Sequence, residues 1–174
     1  MSENSKHAFI LREWKLTDAE SLASILNNKK ILDNLRDGIP YPYTEKDGKE
    51  FISTMLSSDK NSTFSFAVEI DGKAAGSIGV FRQSNIHFKT AEIGYYLAEE
   101  YWGKGIMTEA VKEACKYVFD NSDIIRIFAE PFARNTASCR VLEKAGFCLE
   151  GILKCNAIKN GKILDMKLYS MTLI

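Results

Sequence analysis

Two periods of apolar residues divide the chain into strands and helices. "STFSFAVEI" (62–70) alternates, putting Phe64, Phe66, Val68 and Ile70 on one face, and Asp71-Gly72 reads as a tight turn into "KAAGSIGVFRQ". "TAEIGYYLA" (90–98) is a further strand, and "HAFILREW" (7–14) is a first one. Three-to-four spacing predicts helices over "LTDAESLASILNN" (16–28), opened by Thr17 or Asp18, and over about 44–58, with a weaker helical stretch in "KKILDNLRD". A longer helix runs from the glycines at 103–105 to about Asn121, its buried face marked by Ile106, Met107, Ala110, Val111, Ala114, Cys115, Val118 and Phe119. "IIRIFAEPF" is a strand that must end near Pro131. "NTASCRVLEKAG" is a helix capped by Asn135 and stopped by Gly146, and the last two strands meet at Asn160-Gly161. The order β-α-α, β-β-β, α, β, α, β-β predicts a mixed α/β (α+β) sheet with helices on both faces, in one domain spanning 1–174.

Composition narrows the function classes. Lys plus Arg equals Asp plus Glu at 23 each, so no basic excess points to nucleic acid. The four cysteines (115, 139, 148 and 155) lack zinc-ligand spacing, and with only two histidines in the chain no metal site is expected. Neither a signal-peptide core nor a stretch of membrane-span length occurs, which predicts a cytoplasmic protein that does not engage membranes.

"YYLAEEYWGKGIMTEAV" (95–111) turns from a strand through Gly103-Lys104-Gly105 into a helix. Such a turn is either an ordinary strand-to-helix connection or a phosphate seat, because the unpaired N–H groups and the helix dipole converge there. The P-loop pattern is absent, and Thr108 stands where the dinucleotide fingerprint needs its third glycine.

The stretch resembles the phosphate-binding segment of the GNAT superfamily of N-acetyltransferases, Gln/Arg-x-x-Gly-x-Gly/Ala, with Trp102, Gly105 and Met107 at its anchor positions. "EYWGKG", "NTASCRVLEKAGFCLEG", "PYT" and "NGKILDMKLYSM" are similar to segments of the branch that includes ribosomal-protein alanine acetyltransferases. The resemblance implies a central, mostly antiparallel, splayed sheet of about seven strands, acetyl-CoA as co-substrate and a primary amine as acceptor. It also implies that the backbone of Trp102, Gly103, Lys104, Gly105, Ile106, Met107 and Thr108 holds the pyrophosphate. Asn135 would bond the pantetheine arm, Ser138 would face the leaving sulfur, and N–H groups among Tyr95, Tyr96 and Leu97 would hold the thioester oxygen. Leu142 occupies the position at which many members carry a catalytic tyrosine, and Ala157 the position of a carboxylate base in some ribosomal-protein enzymes.

Acetyl transfer to an amine needs a neutral nucleophile, a polarised carbonyl and a proton for the thiolate. Glu92 shares a strand face with Gly94 and Tyr96 and leads directly to the glycine turn. It is either a general base, as the matching Ala-Glu-Ile of histone-acetylating members implies, or a salt-bridged strand glutamate. Ser138 is the polar member of a helical stripe with Val141, Leu142 and Ala145. Freeing an α-amine at pH 7 costs about 1 kcal/mol and a lysine about 4.6, so a site with one glutamate suits a peptide N-terminus or another readily deprotonated amine. Polyamines and aminoglycosides remain alternatives, as does an acetyl-CoA sensor without turnover. Asp33, Asp37, Tyr41 and Tyr43 either line the amine site or form a solvated loop. The protein is expected to be a monomer or a homodimer.

Overall fold

The computed structural model describes residues 8–173; His7, where the predicted first strand begins, lies outside the described residues. Seven strands form one sheet: β1 (Phe9–Arg12), β2 (Thr63–Ile70), β3 (Lys73–Arg82), β4 (Thr90–Leu97), β5 (Arg126–Ala129), β6 (Cys148–Lys159) and β7 (Lys162–Thr172). Their order is β1-β2-β3-β4-β5-β7-β6, and only β4 and β5 run parallel. The helices are α1 (Ala19–Leu26), the single turn α2 (Lys29–Leu32), α3 (Glu45–Ser57), α4 (Ile106–Asn121) and α5 (Thr136–Ala145).

Each element follows from local chemistry. Thr44 caps α3 and Asp47 bonds back to its N–H, a reciprocal pair that fixes the helix start. Asn135 Oδ1 accepts the Ser138 N–H at 3.2 Å to open α5, and Gly146, at φ 100°, ends it. Both residues of each hairpin turn, Asp71-Gly72 and Asn160-Gly161, have positive φ, as two-residue turns between twisted strands require. The alternation of β2 and β3 buries one core against α4 and α5 (Val68, Ile78, Val111, Val118, Leu142) and a second against α1 and α3 (Trp14, Leu22, Ile52, Ala67). The mixed fold with helices on both faces agrees with the sequence reading.

Several predicted elements are shorter. The chain leaves β1 at Arg12, and Trp14 turns into the second core, its indole donating to Ser65 Oγ at 3.0 Å. "KKILDNLRD" supports only α2 before turns carry the chain to Leu35, and β5 spans four residues because Pro131 interrupts the ladder.

β1 is pinned to the start of α1 by an ion cluster. The Arg12 guanidinium forks onto both oxygens of Asp18, at 2.7 and 2.8 Å, and also pairs with Glu69. Burial pushes the Asp18 carboxyl up, but Arg12 and the Lys15 N–H outweigh it and hold the group below its ordinary 3.8. Because the folded value is depressed, this stabilisation is present above the unfolded pKa and is lost as the pH falls through the folded one. Arg12→Leu would leave a desolvated carboxylate without its cation and is expected to cost about 3 kcal/mol near neutral pH. Urea unfolding at pH 7 and again in the acid range should show the difference from wild type narrowing as Asp18 protonates.

Candidate functional site

β4 pairs with β3 from Ala91 to Leu97, but with β5 only from Thr90 to Glu92. β5 then ends and the chain swings away toward α5, leaving the second half of β4 with one unpaired edge. The ladder says which groups line that edge. Ala98 N–H donates to Ala75 O and Gln83 N–H to Thr90 O, both toward β3, whereas Ile125 N–H reaches Lys89 O on the opposite side. In an unbroken antiparallel register the N–H and C=O groups of Ile93, Tyr95 and Leu97 therefore face the gap, and those of Gly94 and Tyr96 face β3. Tyr95 and Leu97 turn their amides toward the gap. Tyr96 does not: its amide belongs to the sheet, and its phenol packs toward the second core with Ser77 as hydrogen-bond partner.

The strand leads into the glycine turn. Trp102 does not offer its amide either, contrary to the sequence expectation: that N–H donates to Glu99 O at 3.1 Å, and the indole N–H donates to the Leu97 carbonyl at 2.7 Å, so the residue braces the turn. Gly103 and Gly105 lie at φ 73° and 76°, a left-handed geometry that curls successive amides toward one point. The first helical bond at this end of α4 runs from Glu109 N–H to Gly105 O. Among the described residues, the N–H groups of Gly103, Gly105, Ile106, Met107 and Thr108 find no backbone acceptor, whereas that of Lys104 closes the tight turn over Trp102 and Gly103. The side chains of Ile106, Met107 and Thr108 are buried, so the backbone of this turn stays open despite a methionine at a small-residue position. Lys104 lays its ammonium over the Tyr101 ring at 5.3 Å, and its amide is used within the turn, which corrects its expected place among the phosphate donors.

A cleft of about 560 Å³ joins the open edge of β4, the glycine turn and one face of α5. Gly94 sits in its floor with an ordinary strand φ, and a Cβ there would meet no protein atom within 4 Å. Space for a side chain exists, yet the side chain would stand in the cleft. Gly94→Val is therefore expected to keep or raise Tm, valine being a better strand former, while weakening acetyl-CoA binding about tenfold or more through lost contact. Thermal unfolding and calorimetry on the same preparation check both halves.

From α5, Asn135 and Ser138 line the cleft. Ser138 Oγ lies 2.9 Å from Tyr95 Oη, which is also 3.2 Å from the Ser138 carbonyl oxygen. The phenol can donate to either oxygen of Ser138, and when it donates to Oγ the serine keeps its own proton free for another acceptor. Burial pushes Tyr95 well above its usual 10.0, the Ser138 bond only partly offsetting this, so the phenol stays neutral. Leu142 is buried in the core, as its apolar character requires.

Glu92 also lines the cleft, but its carboxylate is held by Arg36: Nη1 donates to Oε2 at 3.3 Å and Nη2 to Oε1. Arg36 Nη2 lies 3.8 Å from Glu130 Oε2 as well. The Arg36 side chain is 62% exposed, so the pair contributes only about 0.2–1 kcal/mol and opens easily. Behind it lies a second cavity of about 310 Å³; Arg36, Glu130, Phe132 and Met166 line both spaces. Ala157 forms part of the second wall and brings no base there.

The loop after α2 is tied down across this region by Lys159 Nζ to Asp37 Oδ1 (2.7 Å), Asn160 Nδ2 to Asp33 Oδ1 (3.1 Å) and Arg134 to the Asp33 carbonyl. Asp33 and Asp37 thus fasten the roof. Tyr43 is buried in the second core, while Tyr41 is exposed beneath Lys29. Sequence reasoning missed Arg36, Glu130, Arg140 and Lys144 in the cleft wall. Arg140 and Lys144, one turn apart on α5, were detectable as a basic edge beside the Ser138 stripe. Arg36 carried no local signal, because its partner is 56 residues away.

A strand splayed from its parallel neighbour, opening onto a row of unclaimed amides at a helix start, suits a phosphorylated thioester. The profile of the acetyltransferase (GNAT) domain family matches residues 8–148. The chain belongs to the GNAT acetyltransferase family. "Probable N-acetyltransferase YjcK" of Bacillus subtilis (strain 168) is 41% identical over 106 residues, covering 61% of this chain and 59% of that one, less than two thirds of the relative's length. The crystal structure of ribosomal-protein-S5-alanine acetyltransferase from Vibrio fischeri superposes with a TM-score of 0.84 at 28% identity, covering 94% of this GNAT chain and 92% of the other. The microcin C7 self-immunity acetyltransferase MccE, solved with acetyl-CoA and AMP, superposes with a TM-score of 0.82 at 27% identity over 95% and 92%. Among the described residues there is no group of three or more His, Cys, Asp or Glu that could hold a metal, and no helix is long and apolar enough to cross a membrane.

Proposed function

We propose that this GNAT acetyltransferase transfers the acetyl group of acetyl-CoA to a primary amine, by direct attack with both substrates bound. The observation that carries the reading is the set of free amides at Gly103 and from Gly105 to Thr108, continuous with the open edge of β4. These amides offer five donors to a pyrophosphate, and the edge offers Tyr95 and Leu97 N–H to an amide-bearing arm and a carbonyl oxygen. Asn135 borders the same space, and Arg140 and Lys144 add positive charge on the α5 side.

Bound acetyl-CoA supplies an activated acyl group on a thiol leaving group. Glu92, once released by Arg36, accepts the amine proton directly or through water. Backbone N–H of Tyr95 or Leu97 stabilises the charge that develops on the acyl oxygen. Ser138 donates a hydrogen bond toward the sulfur, and Tyr95, kept neutral by burial, holds the serine in place. An acceptor that arrives as an ammonium passes one proton through Glu92 to solvent before it attacks. After attack its second proton goes to the departing thiolate, so atoms and charge balance. Ser138 need not end as an alkoxide.

The second cavity is the acceptor's place in this reading, with walls of Phe132, Ile158 and Met166 and with Glu130 shared between it and the cleft. A peptide N-terminus fits that space, and the similarity to the Vibrio fischeri alanine acetyltransferase supports it. The pairing of Glu92 with Arg36 favours one competing reading, a protein that binds acetyl-CoA without turnover. Thiol release from acetyl-CoA against alanine- and serine-terminated peptides, spermidine and an aminoglycoside separates the two. At least one amine should stimulate release, and Ser138→Ala should lower kcat about tenfold with little change in acetyl-CoA affinity, as loss of one hydrogen bond to developing charge predicts. Binding without release from any amine would favour the sensor.

A further inference from the structure

The two cavities meet at Arg36. Its guanidinium sits between Glu92, on the cleft side, and Glu130, which lines both spaces. Among the described residues, the ion pair of the Glu130 carboxylate is the 3.8 Å contact with Arg36. The arginine arrives from the loop after α2, which the Lys159–Asp37 and Asn160–Asp33 bonds hold in position. Its backbone is therefore fixed while its side chain is mostly exposed. A flexible cation on a fixed stem thus lies between two carboxylates, in the passage an amine must cross to reach the thioester.

We propose that Arg36 is a specificity gate: in the amine-free protein its guanidinium occupies the seat that the acceptor's ammonium takes, and a cationic primary amine on a slim apolar stem enters by displacing it. This rests on the acetyltransferase reading and adds to it the charge of the acceptor at entry and the residue that selects it. A neutral or anionic acceptor gains nothing from Glu92 and Glu130 and cannot exchange with the arginine. The apolar walls of the second cavity, Phe132 and Met166 among them, accommodate the stem. The gate also keeps Glu92 from activating water while no amine is present, which protects the thioester.

Calorimetry on wild type, Arg36→Lys, Arg36→Ala and Arg36→Ala/Glu92→Gln tests this, with CoA first and then n-butylammonium added to the CoA complex. CoA should bind all four alike; failure of wild type to bind CoA would sink the acetyltransferase reading and leave the gate without a reaction. If CoA binds, Arg36→Ala should hold n-butylammonium about two- to sixfold more tightly than wild type, the factor expected when a seat self-occupied roughly 60–85% of the time by an exposed ion pair is freed. Arg36→Lys should stay near wild type, and the double variant should lose the gain. Arg36→Ala should also hydrolyse acetyl-CoA faster without amine, an increase that the double variant abolishes. Equal amine affinity in wild type and Arg36→Ala, or a gain that survives removal of Glu92, would overturn the proposal.

Discussion

Gly105→Val is expected to weaken acetyl-CoA binding about a hundredfold, the loss of one or two charge-assisted hydrogen bonds from amide to phosphate. A β-branched residue at φ 76° is strained by about 1–3 kcal/mol, so the turn relaxes to another φ and its amides no longer converge. No neighbouring atom within 4 Å resists a side chain there, which makes the effect one of backbone direction rather than packing. Gly105→Asn separates the two causes, because asparagine tolerates the left-handed region. It should retain binding within about tenfold of wild type, since the donor array survives. Calorimetry with acetyl-CoA, alongside thermal unfolding, reads both variants. Equal loss in both would mean that glycine serves close approach and not curvature.

Glu92→Gln is expected to lower kcat about 10²- to 10⁴-fold, the range that a positioned general base contributes, and to leave the acetyl-CoA dissociation constant unchanged. The amide is isosteric but cannot take the proton. It also frees Arg36, so the amine KM should change together with kcat. Stopped assays with the best amine of the panel give both parameters. A variant with wild-type kcat would assign the proton to a water chain and leave Glu92 as the anchor of Arg36.

What was legible in the sequence was whatever depends on local chemistry. Turns with Asp-Gly and Asn-Gly, the Asn135 cap and the Gly146 stop each act within a few residues, and each stands where the pattern put it. The glycine turn was legible for the same reason, because positive φ is a local demand. Its detailed donors were not: Trp102 and Tyr96 looked equivalent to their neighbours until the ladder showed which way each amide points. On sequence alone Asp33 and Asp37 either lined the amine site or lay in a solvated loop, yet the partners that claim them come from the end of β6, the β6–β7 turn and the loop before α5. The Tyr95–Ser138 contact joins residues 43 apart, and Arg36–Glu92 joins residues 56 apart. Neither leaves a trace in periodicity, since both exist only once β4, α5 and the loop after α2 surround one cleft. Ser138 was found because a polar residue broke an apolar stripe; Arg36 broke nothing.

The central claim is that the open edge of β4 and the turn at 103–108 together seat acetyl-CoA. Titration calorimetry of the wild-type protein with acetyl-CoA, and under the same conditions with ATP and NAD, tests it most directly. One site of micromolar affinity for acetyl-CoA is expected, with ATP and NAD far weaker, because only the thioester carries an amide-bearing arm for Tyr95 and Leu97 as well as a pyrophosphate for the turn. Comparable affinity for all three ligands would contradict it, reducing the turn to a general phosphate seat.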